Sequence, residues 1–94
     1  MFYVYVMQSG EHFYVGYSSD MSRRLEEHNA GQNRSTKKYK PWVVIFYEAY
    51  VCQADAIRRE RYLKTTQGRQ ALRRMLKEYF KSSGIYFDDK LLTT

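Results

Sequence analysis

Two short stretches near the start of the chain alternate with a period of two. Phe2, Val4 and Val6 interleave with Tyr3, Tyr5 and Met7, and Phe13, Val15 and Tyr17 interleave with Tyr14 and Gly16. Successive side chains of a strand point to opposite faces, so both stretches predict strands. Gln8-Ser9-Gly10-Glu11 between them is a turn signal, and a hairpin centred on Ser9-Gly10 sets Tyr5 directly opposite Tyr14. Their Cβ atoms would then lie about 4.5–5.5 Å apart.

The pattern next turns helical. Asp20 is placed to cap a helix running Met21 to Ala30, with Gly31 as its left-handed stop. Met21, Leu25 and His28 form one stripe of that helix, with Arg24 at its edge. A polar, cationic loop from Gln32 to Lys40 ends at Pro41, and Trp42-Val43-Val44-Ile45-Phe46-Tyr47 predicts a third, largely buried strand at the centre of the sheet. A second helix is expected from about Gln53 to Lys64, an interruption near Gly68, and a third helix from about Arg69 to Phe80. The order ββαβαα describes an α+β fold, a small three-stranded antiparallel sheet covered by helices. Residues 1–81 form the expected domain, and 82–94 a tail that is loosely docked or disordered.

A chain of 94 residues supports one core. Its 44% hydrophobic and 17% aromatic content, mostly tyrosine, argues for a globular chain whose buried rings leave hydroxyls to be satisfied. The first seven residues lack a basic leader and are too short and tyrosine-rich for a membrane span. Cys52 is the single cysteine, so no internal disulfide forms, and no Cys/His cluster has zinc-ligand spacing. A reducing compartment, the cytoplasm, is the simplest reading.

Charge changes the picture more. The net charge is +6; residues 31–47 hold Arg34, Lys37, Lys38 and Lys40 with no acid, and residues 56–77 hold eight cations against Glu60 alone. Such asymmetry favours a polyanion through counterion release, and with no lipid-facing helix beside it nucleic acid comes before a membrane. The contact residues expected are Arg23, Arg34, Lys37, Lys38, Lys40 and Lys64.

Within that surface a few residues could carry chemistry. Glu60 falls in the middle of the helical stripe formed by Ala56, Ile57, Leu63 and Lys64, which points a carboxylate inward. A buried carboxylate requires a compensating cation, and a metal ion, Arg24 or Lys64 could supply it. Arg24 and His28 share a helix face, where a guanidinium can hold a phosphate and an imidazole can transfer a proton. The tyrosine pair has a structural alternative, since cross-strand aromatics stabilise a hairpin by up to about 1 kcal/mol.

The combination is more specific than its parts. Tyr3-Val4-Tyr5, Tyr14-Val15-Gly16, Arg24, His28 and a distant Glu60 appear in an order that resembles the GIY-YIG nuclease superfamily. Residues 2–77 are similar to the small stand-alone bacterial members, related to the amino-terminal domain of the excision-repair endonuclease subunit. Arg23-Arg24-Leu25-Glu26-Glu27-His28-Asn29-Ala30-Gly31 and Glu60-Arg61-Tyr62-Leu63-Lys64 carry that likeness. Tyr3 stands where glycine is usual and Val4 replaces isoleucine, while Tyr5 keeps the functional position. Gly84-Ile85-Tyr86 is a decoy with no second motif after it, and Leu72, Arg73 and Arg74 occupy the region where many members carry an asparagine.

The resemblance implies metal-dependent hydrolysis of DNA phosphodiesters with low sequence specificity, around one Mg²⁺ or Mn²⁺ held by Glu60 and water. It implies Tyr5 beside the attacking water, Tyr14 in support, Arg24 on the phosphate and His28 in proton transfer. A non-catalytic nucleic-acid-binding module on the same fold is the main alternative, and a protein-interaction domain using the tyrosine-rich face is a third.

Overall fold

The computed structural model describes residues 1–84 together with 91–92. Strands β1 (Phe2–Ser9) and β2 (His12–Ser18) form the hairpin, followed by α1 (Met21–Asn29), β3 (Val43–Tyr50), α2 (Gln53–Leu63), α3 (Thr66–Met75) and α4 (Lys77–Ser83). A two-residue strand, β4 (Leu91–Leu92), lies within the segment 82–94 and runs parallel to β2. The three long strands are antiparallel, and the sheet order is β3-β1-β2-β4. The α+β class and the ββαβ start agree with the sequence, with one helix more at the end.

The hairpin register is a correction. Ser9 pairs with His12, Met7 with Tyr14 and Tyr5 with Gly16, so Tyr5 does not face Tyr14 directly. The tight turn is Gly10-Glu11, and Gly10 has φ +58° at its first central position, as a type II′ turn requires. This register slips the expected pairing by two residues and leaves every side chain on the face predicted for it.

The sheet is covered on both sides. Val4, Val6, Phe13 and Val15 pack against Ala56, Leu63, Leu72 and Phe80 of the later helices. On the opposite face Tyr5, Met7 and Tyr14 pack with Trp42, Met21 and Leu25. At about 25 cal/mol per Å² of apolar surface, burial of this kind is the main stabilising contribution.

β1 is the central strand, and β3 lies at an edge, contrary to the expectation from its apolar run. That run has another cause. A register shift between Val6 and Met7 pairs Val6 with Phe46 but Met7 with Val44. The bulge sends both Ile45 and Phe46 to the helix-covered core while Val44 packs on the other face, so consecutive residues are apolar without central placement. Val43 and Tyr47 remain exposed.

Gly68 is also reassigned. It lies inside α3, not between helices, and a Cβ there would fall 1.9 Å from the Tyr62 carbonyl oxygen. Close passage of α3 across the end of α2 requires glycine, while Thr65 caps α3 by accepting from the Gly68 N–H. The break between α2 and α3 falls at Lys64–Thr65, and a second break at Leu76 divides the expected third helix into α3 and α4. Gly84 is the left-handed cap of α4, with φ +69°; Ile85 and Tyr86, the rest of the decoy motif, lie outside the described residues.

Candidate active site

Helix α1 begins as the sequence requires, with the Asp20 side chain accepting from the Arg23 N–H at 3.1 Å. It ends at Ala30, followed by Gly31 with φ +80°. Its C-terminus is clamped to the start of β3 by Asn29, whose Nδ2 donates to the Trp42 carbonyl at 3.1 Å and whose Oδ1 accepts from the Trp42 N–H at 2.5 Å. Trp42 in turn donates from Nε1 to the Thr36 carbonyl at 3.0 Å. The loop between α1 and β3 is thereby folded against the tyrosine face, with Thr36 and Trp42 buried.

This clamp brings Tyr5, Tyr14 and His28 together. The Tyr5 hydroxyl lies 3.1 Å from His28 Nε2, and His28 Nδ1 lies 2.8 Å from Thr36 Oγ1. The Tyr14 ring is 4.9 Å from the His28 ring and 6.5 Å from that of Tyr5, centroid to centroid. Tyr5, His28 and Thr36 are essentially sealed from solvent, and Tyr14 is only 3% exposed.

Gly16 makes this arrangement possible. A Cβ at that position would come within 2.3 Å of the Tyr5 phenol, whose ring lies across its cross-strand partner. Only a residue without a side chain admits the ring there. The sequence displays Gly16 inside its second motif, but the expected register concealed its function.

Glu60 reaches the cluster from α2. Its Oε2 accepts from Lys64 Nζ at 3.1 Å, and the same ammonium lies 6.0 Å from the Tyr14 ring centroid. Of the two side chains the sequence left open as counter-charges for Glu60, Lys64 is the one in contact. Arg24 is instead engaged by Glu27 at 2.9 Å, and Arg23 approaches the same Glu27 at 3.7 Å. Arg34, Lys37, Lys38 and Lys40 are exposed on the loop.

The local electrostatics follow from this packing. Burial, reinforced by Tyr14 and Glu60 and opposed by Arg24, raises the Tyr5 pKa well above that of a free phenol. Burial and the neighbouring Arg24 lower His28 to about 4, against a weaker opposing pull from Glu27. The imidazole is therefore neutral at pH 7. Burial is the largest single influence on Arg24 and lowers it, but the Glu27 hydrogen bond together with Tyr5 and Tyr14 more than offsets burial, so its pKa is raised and it stays cationic.

Among the described residues no group of three or more His, Cys, Asp or Glu converges as a metal cage. Glu60 offers one hard carboxylate, with Lys64 on one of its oxygens. Such a donor suits a divalent cation whose remaining ligands are water and substrate oxygens. Leu72, in the region of the missing asparagine, is fully buried in the apolar core, and Arg73 and Arg74 are exposed. Thr36 escaped the sequence reading altogether: a threonine in a cationic loop carries no signal of burial.

A small α+β domain with two tyrosines, an arginine and a histidine on one face of its sheet, and a glutamate on α2 close enough to act on them electrostatically, has the outline of a nuclease-superfamily fold. The comparisons agree, as the family model described as "GIY-YIG catalytic domain" matches residues 1–75, and the chain belongs to the GIY-YIG family. It is similar to UPF0213 proteins of Staphylococcus aureus strains Mu3, Mu50 and N315, each 35% identical over 78 residues, covering 81% of this chain and 94% of the relative. No solved structure matches. Domains of this family are typically endonucleases and generally use a divalent metal ion on nucleic acid.

Proposed function

We propose that this protein is a metal-dependent endonuclease that hydrolyses DNA phosphodiester bonds with low sequence specificity. The observation that carries the reading is the Tyr5–His28 hydrogen bond, set among Tyr14, Arg24 and the Glu60–Lys64 pair. A phenol with a raised pKa cannot serve as a preformed base at neutral pH. Tyr5 can accept a proton from water only as it passes its own to His28 Nε2, which is neutral and within hydrogen-bond reach. Thr36 holds the other ring nitrogen and fixes the imidazole's orientation. Tyr14 packs against both rings, and Arg24 offsets charge on the phosphate.

Glu60 is the residue that would hold Mg²⁺ or Mn²⁺, which when bound supplies charge neutralisation at the phosphate. Arg23, Lys64 and the exposed Arg34, Lys37, Lys38 and Lys40 would engage backbone phosphates, contacts that position a strand without reading its sequence. Residues 1–81 are taken as the working domain and 82–94 as an accessory tail. The exposed free thiol of Cys52 suits a reducing cytoplasm, where DNA repair is one process such an enzyme serves.

A second reading, a binding module without useful catalysis, draws on the Lys64 ammonium occupying one Glu60 oxygen. One experiment separates the two: purified protein is incubated with branched, single-stranded and plasmid DNA in Mn²⁺, Mg²⁺ or chelator. Glu60→Ala and Tyr5→Phe are expected to lower a metal-dependent cleavage rate by about 10²–10⁴-fold. Cleavage that both substitutions leave unchanged sinks the site. Absence of cleavage with salt-sensitive binding, equal in wild type and Glu60→Ala, establishes the binding module instead.

A further inference from the structure

Beside the tyrosine cluster, on the same face of the sheet, lies a cavity of about 300 Å³ lined by Tyr3, Ser19, Asp20, Met21, Ser22 and Tyr47. We propose that this cavity is a subsite that seats one unstacked nucleobase of the nucleotide flanking the phosphate held at Arg24; the proposal rests on the endonuclease reading. Its position comes from register. Tyr47 is the direct cross-strand partner of Tyr5 on β3, and Tyr3 lies two residues before Tyr5 on β1. Arg24 lies close enough to the Tyr5 phenol to interact with it, and Tyr5 adjoins Tyr3 and Tyr47 on this face, so a phosphate at Arg24 and a base in the cavity fall on the same side of the sheet.

The lining selects a flat, neutral, aromatic occupant. The rings of Tyr3 and Tyr47 are 6.0 Å apart and inclined at 63°, forming a corner instead of a closed stack. Tyr47 is 54% exposed, and an exposed ring is a platform on which any base can stack. The Asp20 carboxylate, with Oδ1 engaged by the Arg23 N–H, repels a phosphate from the cavity while offering an acceptor to a base edge. The hydroxyls of Ser19 and Ser22 add partners of either sense. Stacking tolerates every base, which agrees with low sequence specificity.

The test measures binding in chelator, where no cutting occurs, of a short single-stranded oligonucleotide carrying 2-aminopurine, a base whose fluorescence is quenched by stacking. Wild type and Tyr47→Phe are expected to quench it. Tyr47→Ala is expected to lose the quenching and to bind roughly ten- to a hundred-fold more weakly, the loss of about one stacked base. An abasic site scanned along the oligonucleotide should weaken wild type by a similar factor at one position and leave Tyr47→Ala unaffected there. Unchanged affinity and quenching in both Tyr47→Ala and Tyr3→Ala overturns the subsite, as does the absence of any oligonucleotide binding by wild type. Metal-dependent cleavage with Tyr47-independent binding rejects the subsite and keeps the nuclease. Tyr47-dependent binding without cleavage does the reverse.

Discussion

The two faces of the sheet are built from alternate residues of the same strands and have opposite characters. Under α2, α3 and α4, Val4, Val6, Phe13 and Val15 meet other apolar side chains, and shape decides the fit. Under α1 and the loop that follows it, Tyr5, Tyr14 and His28 are as deeply buried, yet each carries a polar atom. Tyr5, His28 and Thr36 satisfy one another in a chain, which allows polar groups in a core at little cost. One face supplies stability through apolar contact alone, and the other buries the polar groups proposed for the chemistry by pairing them.

The sharpest division of the two faces comes from Phe13→Ala. Phe13 is fully buried and edge-on to Phe80 at 5.4 Å, so its truncation should cost about 3–5 kcal/mol in urea unfolding. Any cleavage by the folded fraction should persist, and a selective loss of cleavage at full stability would contradict the division of labour.

Acid should next unsettle the polar face. His28 has a pKa lowered to about 4 in the folded protein and near 6.5 when unfolded, so the unfolded state binds the extra proton between those values. Its contribution is fully present above pH 6.5 and is lost as pH falls towards 4, about 3 kcal/mol in all. Unfolding midpoints measured across that window should fall more steeply for wild type than for His28→Gln. Parallel slopes would remove His28 from this role.

Gly16→Ala tests the seam where the tyrosine ring crosses the hairpin. The added methyl must displace Tyr5, at a cost of about 1–3 kcal/mol, and should impair cleavage more than stability. Tyrosine and histidine NMR signals at the Tyr5–His28 contact would shift; unchanged signals would mean that the ring has room. The smallest effect is expected of Thr36→Val, which removes the hydroxyl at His28 Nδ1 and should cost about 1–2 kcal/mol. A neutral result would show that His28 holds its orientation without Thr36.

Much of this was legible in advance, though unevenly. Asp20 and Gly31 bracketed α1 because capping is local chemistry, and Glu60 met Lys64 because residues four apart on a helix are neighbours. The five proposed site residues could be picked out from order and spacing. Thr36 could not, because its burial depends on Asn29 and Trp42 closing the loop.

The alternation of Phe2 to Met7 and Phe13 to Tyr17, read with the helical stripes, determined the α+β class and which side chains share a face. It could not determine register, since a slip of two residues keeps every side chain on its face and the amphipathic pattern is blind to it. Gly10 settled that choice through its positive φ, placing Gly16 rather than Tyr14 beneath the Tyr5 ring. Strand order and the passage of α3 over α2 at Gly68 belong likewise to the tertiary structure. A local pattern records which groups avoid water; which of them meet is fixed only when distant backbones approach within contact distance.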